Sequence, residues 1–166
     1  PVVPVSANLA RSTLLDPLLA RRLEVLLRER RLPACLLHLE VSEEAWRLDP
    51  DQLRCALMRL QAAGFSVAVD DFGVDNANVS LFVQLEFDVL KMDRSLIWGI
   101  DATDRTMRVV SGLASLCDDL SIESVAEGIE TEQQLEALKT TGCTRAQGYL
   151  IGRPSAIDEF ERRFMA

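Results

Sequence analysis

The chain alternates between short apolar runs and longer segments whose apolar residues recur at helical spacing. Six of the runs, rich in apolar residues and followed by a polar or turn-forming residue, predict β-strands. The predicted strands are Val2–Asn8, Cys35–Val41, Phe65–Asp71, Phe87–Asp93, Ile122–Glu127 and Ala146–Leu150. The pattern therefore predicts strands separated by helices along the whole sequence.

The segments between these runs carry helix start and stop signals. Asp16-Pro17 and Asp49-Pro50 each place a capping carboxylate before a first-turn proline, and Thr131 with Gln134 predicts a capping box. Gly64 provides a C-terminal stop signal. The predicted helices cover residues 16–31, 49–64, 76–85, 104–120, 131–142 and 155–164.

Repeated strand–helix units predict an α/β fold with a parallel sheet, which is either an open doubly wound sheet or a TIM-type barrel. Polar residues lie at or near the ends of all six predicted strands, and a barrel would bring those ends around one mouth. This favours the barrel. A full barrel needs eight strands, so we expect residues 1–166 to form one incomplete domain that lacks its first two strands.

Composition narrows the class of protein. A net charge of -8 argues against nonspecific binding to nucleic acid or to an anionic membrane, and no apolar stretch is long enough to cross a bilayer. The four cysteines form no C-x-x-C pair and have apolar neighbours, which predicts reduced core residues in a reducing, cytoplasmic compartment. These are Cys35, Cys55, Cys117 and Cys143. The single His38 is interpreted as a packed core residue.

The adjacent carboxylates Asp70 and Asp71 are the most informative pair, because neighbouring carboxylates repel unless they share a cation or a proton. Hard divalent metals bind such oxygen clusters. Strand alternation places Glu40 on the same face as His38, and Lys91 on the same face as Asp93. A lysine among carboxylates stays charged and can orient a water or a phosphate.

Five segments and a following Arg153-Pro154 together resemble the bacterial EAL domain family, phosphodiesterases that cleave cyclic di-GMP to linear pGpG. The segments, in chain order, are Leu39-Glu40-Val41-Ser42-Glu43, Val69-Asp70-Asp71-Phe72-Gly73, Leu90-Lys91-Met92-Asp93, Val125-Ala126-Glu127-Gly128-Ile129-Glu130-Thr131 and Gln147-Gly148-Tyr149-Leu150. The resemblance implies an incomplete TIM-like barrel of the EAL type. It also implies Mg²⁺ or Mn²⁺ as cofactor and cyclic di-GMP as ligand.

The resemblance also implies a set of metal ligands. Asn8, Glu40 and Asp70 match ligands of one divalent ion. Asp70 would bridge to a second ion, which Asp71 also holds and which Glu127 supports directly or through its water. Asp71 and Glu127 are therefore expected to take part in the catalysis as well.

Other matching positions carry expectations beyond the metal. Lys91 matches a catalytic lysine that contacts the attacking water, and Gln147 matches a glutamine at the substrate. Glu130 matches a glutamate that anchors the loop after the aspartate pair. Asp93 is a candidate substrate-binding residue that could equally serve the structure alone. Both Glu127 and Lys91 could instead have a purely structural role. Glu127 could cap a helix, and Lys91 could form an ion pair with Asp93.

Two departures from the family pattern bear on activity. The family's Glu-Ala-Leu segment with its following arginine, expected on an earlier strand, has no match in this chain, so the isolated chain is expected to show little turnover. The loop after Gly73 also differs, reading Val74-Asp75-Asn76-Ala77-Asn78. This keeps a second hypothesis open, a degenerate domain that binds cyclic di-GMP or a protein without turnover. We further expect a homodimer and an upstream sensory or signalling domain in the parent protein.

Overall fold

A computed structural model of the chain describes residues 3–42, 45, 47–74 and 79–165. Strands and helices alternate in these residues, as the sequence predicts. The strands are β1 Val5–Leu9, β2 Leu37–Val41, β3 Ser66–Phe72, β4 Val89–Met92, β5 Glu123–Ala126 and β6 Arg145–Ala146. The helices are α1 Arg11–Leu14, α2 Leu19–Glu29, α3 Pro50–Ala62, α4 Leu81–Gln84, α5 Arg94–Ile97, α6 Asp104–Asp119, α7 Glu132–Lys139 and α8 Ile157–Phe164.

The six strands form one parallel sheet whose spatial order, β1-β2-β3-β4-β5-β6, is the order of the chain. An open doubly wound sheet reverses its strand order at a switch point, whereas a barrel keeps adding strands in one direction. The observed order is therefore that of a barrel. All carboxyl ends lie on the same rim.

The helices cover one face of the sheet and form the apolar core with it. Leu53, Leu57 and Leu60 of α3, predicted as one stripe, are all at most 2% exposed. The strand side chains on that face, such as Leu39 and Val67, are also buried. Because side chains alternate along a strand, the other face is left free for polar residues.

Local sequence explains where the longer helices begin. The Asp49 carboxylate accepts hydrogen bonds from the backbone N–H groups of Asp51 and Gln52, and Pro50 occupies the first helical position. The capping box predicted at Thr131 and Gln134 is present at the start of α7. The helix prediction from 76 to 85 is only partly tested, since residues 75–78 lie outside the described residues, and α4 covers four residues of it.

The sixth strand was predicted too long. Regular pairing ends at Ala146, and the backbone then turns so that Ile129 N–H donates to the carbonyl of Gln147, and Leu150 N–H to the carbonyl of Ile129. A Cβ at Gly148 would overlap the backbone of Ile129, so the two segments cross in direct contact. Only glycine permits that crossing.

The prediction that all four cysteines are core residues was wrong for two of them. All four thiols are free, but Cys35 and Cys55 are exposed, while Cys117 is buried and Cys143 half-buried. Cys35 lies in a 3₁₀ turn over residues 34–36, where a strand was predicted, and Cys55 lies on the outer side of α3. Burial raises the pKa of the Cys117 thiol to about 11.

Among the described residues, no helix combines the length and apolar character that a membrane crossing requires.

Candidate active site at the carboxyl-end rim

The Lys91 ammonium lies at the centre of the polar face and contacts three carboxylates from three other strand ends. Its Nζ is 2.7 Å from Asp70 Oδ1, 2.8 Å from Glu127 Oε1 and 3.0 Å from Glu40 Oε1. All four side chains are at most 17% exposed. Residues far apart in the sequence thus converge on one buried charge cluster.

Register and alternation explain this convergence. Asn8 pairs with Glu40 and Glu40 pairs with Ala68, so these residues share one face of β1, β2 and β3. Asp70 lies two residues beyond Ala68, and Glu127 two residues beyond the partner of Lys91, Val125. Because side chains two residues apart along a strand point to the same face, the strand pairing places these polar groups close together on one face of the sheet.

Asp71 would point away from that space in a regular strand, because adjacent residues alternate. The register between β3 and β4 shifts between Val69 and Phe72, and Asp71 has a left-handed backbone with φ 56°. Aspartate tolerates this conformation better than most residues do. The irregularity brings the Asp71 carboxylate to the same side as Asp70, and carboxylate oxygens of Asp70, Asp71 and Glu127 lie within 4.8 Å of one another.

The electrostatics of the cluster favour a bound cation. Burial raises the pKa of Asp71, and the nearby carboxylates of Asp70 and Asp93 raise it further, against the opposing ammonium of Lys91. Burial likewise raises the pKa of Glu127, although Lys91 opposes the shift. One ammonium does not balance four carboxylates, so a further positive charge would stabilise their ionised forms.

Lys91 itself stays protonated. Burial alone disfavours its charge, but the hydrogen bonds that it donates to Asp70, Glu127 and Glu40 outweigh burial and raise its pKa. The alternative interpretation, a structural pair with Asp93, is not found among the ion pairs of the described residues. Glu127 is not a helix cap either, because Thr131 caps α7.

Predicted residues nearer the edges are placed at the rim but not in the cluster. Asn8 is exposed at the end of β1, opposite Glu40. Gln147 is exposed in the turn after β6, and its backbone N–H donates to Ala126. Half-buried His38 lies two residues before Glu40 on the same face of β2 and makes none of the cluster's contacts that the structure describes.

A cavity of about 210 Å³ opens beside the cluster. Asp93, Glu130 and Gln147, all predicted site residues, line it together with Glu127. Asp93 also caps α5, since its Oδ1 accepts a hydrogen bond of 2.8 Å from Ser95 N–H, and this bond helps lower its pKa although burial opposes the shift. The residues that Glu130 was expected to anchor include 75–78, which lie outside the described residues.

Sequence reasoning missed two cavity residues. Arg94 and Tyr149 also line this space. The signal for Arg94 was its position directly after the strand-end Asp93, and for Tyr149 its position two residues after Gln147. The chain does contain one Glu-Ala-Leu tripeptide, Glu136-Ala137-Leu138. It is followed by Lys139 and lies in helix α7 and not on a strand, so it does not replace the family segment expected on an earlier strand.

Comparison with known families and sequences gives a consistent result. The family model described as "EAL domain" matches residues 1–154. The cyclic di-GMP phosphodiesterase NbdA of Pseudomonas aeruginosa is 37% identical over 162 residues, which are 96% of this chain and 20% of that protein. The chain thus spans about a fifth of the length of this relative.

Solved structures agree in fold. The EAL domain of Mycobacterium smegmatis DcpA matches with a TM-score of 0.89 at 30% identity, covering 96% of this chain and 71% of that one. Klebsiella pneumoniae BlrP1, solved as a manganese and cyclic di-GMP complex, matches with a TM-score of 0.85 at 31% identity, covering 91% and 39%. The sheet is therefore an incomplete TIM-like barrel, as predicted.

Proposed function

Because the chain belongs to the EAL domain family, we propose that it forms the catalytic rim of a metal-dependent phosphodiesterase that hydrolyses cyclic di-GMP to linear pGpG. The observation that carries the proposal is the contact of Lys91 with Glu40, Asp70 and Glu127, next to the Asp70–Asp71–Glu127 oxygens. The names of NbdA and of the BlrP1 complex support the same reaction and ligand.

The donor set fits a hard divalent cation. Asp70, Asp71 and Glu127 offer three carboxylate oxygens close together, with Glu40 on the same side, and oxygen ligands without Cys or His suit Mg²⁺ or Mn²⁺. Asn8 would add an amide oxygen from β1. A bound cation would acidify a water and offset charge on the phosphoryl oxygens.

The chain's own residues would then have distinct tasks. Lys91 keeps Glu40, Asp70 and Glu127 in place, and its charged Nζ can orient a water or a phosphoryl oxygen. Glu127 and Asp71 would support the cation and the attacking water, because their carboxylate oxygens lie together at the rim beside Lys91. Hydrolysis breaks one phosphodiester P–O bond, joins the water oxygen to phosphorus, and leaves the ribose oxygen protonated.

Substrate contacts are assigned to the cavity beside the cluster. Gln147 and Asp93 line it and would bind polar groups of the nucleotide. Glu130, at the same cavity, would anchor the loop that follows Gly73. We also propose that this site functions in the cytoplasm.

The test uses the full protein that contains this chain. With Mn²⁺, product chromatography should show pGpG formed from cyclic di-GMP. The altered sequence Val74-Asp75-Asn76-Ala77-Asn78 motivates the second candidate, a receptor that binds cyclic di-GMP without hydrolysis. Calorimetric binding with no pGpG would support the receptor and overturn the enzyme.

Self-association through the region around α4 is a further part of the proposal. Val83 is 87% exposed, Val79 59% and Met58 55%, and a cavity of about 450 Å³ lies between α3 and α4. Exposed apolar side chains of this kind favour an interface. Val83→Glu should convert a dimer to a monomer in size-exclusion chromatography, and an unchanged elution volume would contradict this interface.

The relatives' length supports one more proposal, that the parent protein carries an upstream sensory or signalling domain. The matched part of NbdA is only a fifth of that protein. Limited proteolysis of the parent protein should release this domain as a separate stable fragment. A parent protein with no folded segment before the barrel would contradict the proposal.

A further inference from the structure

The four-residue helix α5 lies between two loops, one that follows the aspartate pair of β3 and one that carries Glu127 after β5. It begins directly after Asp93 and contacts both loops through glycines with positive φ, which are Gly73 at 116° and Gly128 at 75°. Gly73 is two residues after Asp71, and Gly128 directly follows Glu127. Each glycine therefore lies within two residues of a proposed metal ligand.

The two contacts leave no room for a side chain on either glycine. A Cβ at Gly73 would overlap Cγ and Cδ1 of Leu96, and a Cβ at Gly128 would overlap Cβ of Arg94. Arg94 Cα would also be only 3.3 Å from the added carbon at Gly128. The backbones of both loops thus rest directly on α5.

Backbone hydrogen bonds connect the same three segments. Asp93 N–H donates to Phe72 O at 3.0 Å, and Glu127 N–H donates to Met92 O at 2.9 Å. Packing fixes the position of α5, because its residue Ile97 is only 1% exposed and the helix contacts α6. A fixed helix in contact with two loops constrains the distance between them.

We propose that α5 is the positioning element of the metal site, with Leu96, Gly73 and Gly128 as positioning residues that set the separation of the Asp70–Asp71 pair from Glu127. The side chains of these three residues carry no oxygen, nitrogen or sulfur atom that could bind a cation, so their contribution would be to position the carboxylates that do. This inference rests on the metal site proposed above, and a ligand set held by packing in this way binds its cation with less loss of conformational freedom.

The experiment measures Mn²⁺ affinity by calorimetry, and urea unfolding alongside it, in the full protein that contains this chain. Gly128→Ala should weaken Mn²⁺ binding about tenfold or more. Gly142→Ala is the matched control, because Gly142 has φ 84° but has nothing within 4 Å of an added Cβ. It carries the same backbone strain and should change Mn²⁺ affinity by less than about twofold.

A double substitution tests the contact with Leu96. Leu96→Ala removes all three side-chain atoms that would meet a Cβ at Gly73. Gly73→Ala should therefore weaken Mn²⁺ binding more in the wild-type background than in the Leu96→Ala background. Leu96→Met, which conserves volume, should keep affinity within about twofold, whereas Leu96→Ala alone should lower it by about threefold or more.

The outcomes separate this proposal from the one on which it rests. If the unmodified protein binds no Mn²⁺, the metal site itself fails. If it binds Mn²⁺ and the folded Gly128→Ala variant binds equally well, the positioning role is overturned. Should Gly128→Ala not unfold cooperatively, the Leu96→Ala and Leu96→Met pair decides, and equal affinities in both would overturn the proposal.

Discussion

The centre and the edges of the sheet hold their polar side chains in different ways. At the centre, β2, β3, β4 and β5 deliver Glu40, Asp70, Lys91 and Glu127 into mutual contact with little exposure. At the edges, Asn8 and Gln147 are exposed. Strands with two neighbours fix both register and side-chain direction, whereas an edge strand is fixed on one side only.

The difference in burial indicates that the central and the edge residues of the rim have different roles. The buried centre can hold charges in one geometry because each carboxylate meets the same ammonium. The exposed edges can supply contacts that adjust to a ligand. We therefore expect substitutions at the centre to have large effects on stability and metal binding, and substitutions at the edges to have smaller effects on the affinity for the cation or the ligand.

The largest effect is expected from Lys91→Met. Removing the ammonium leaves three carboxylates crowded in a buried space, and breaking such a pair costs about 3–5 kcal/mol of unfolding free energy. Urea unfolding without added metal measures this. Lys139→Met is the control, because the ion pair of Lys139 with Glu136 is exposed and its loss should leave the unfolding midpoint unchanged. If both substitutions lowered the unfolding free energy equally, the claim that the buried centre is more sensitive than the surface would be contradicted.

Metal affinity should separate the neighbours Glu40 and Asn8, which pair across β1 and β2. Glu40→Gln removes a buried charge and should weaken Mn²⁺ binding about 10- to 100-fold. Asn8→Ala removes one neutral amide oxygen from an exposed position. This should weaken Mn²⁺ binding about fivefold, equivalent to ~1 kcal/mol. Calorimetry with Mn²⁺ alone compares them, and a larger loss for Asn8→Ala would reverse the assignment.

The smallest effect is expected at the other edge. Gln147→Ala should raise KM for cyclic di-GMP about fivefold and leave kcat unchanged, since an exposed amide contributes to ligand binding only. Gln133→Ala, an exposed glutamine on α7, serves as the control in the same steady-state assay. A fall in kcat with KM unchanged would place Gln147 in the chemistry instead.

The same contrast explains how far the sequence could predict the fold. The strands β2 to β5 were predicted within two residues at each end, because apolar runs bounded by polar residues dominate there. The extent of β6 was wrong, since its end depends on the contact between Gly148 and Ile129, which is set by tertiary structure. The four-residue helices α1 and α5 were missed because one turn shows no periodicity.

At the site, the residue types were predictable and the geometry was only partly so. Strand alternation predicted that Glu40 and Lys91 lie on inward faces. The left-handed backbone of Asp71 could not be predicted, because no glycine or asparagine occupies that position in the sequence. The three-way contact of Lys91 depends on the curvature and stagger of the sheet, which local pattern does not encode. The roles of the individual residues at the site stay predictions.

The most direct test of the account is hydrolysis of cyclic di-GMP by the full protein with Mn²⁺, comparing Asp70→Asn with the unmodified protein. Asp70 both contacts Lys91 and belongs to the proposed metal ligands. Its loss should reduce pGpG formation about 10³-fold or more, while Asp118→Asn, an exposed carboxylate on α6, should leave the rate unchanged. Undiminished pGpG formation by Asp70→Asn would contradict the account.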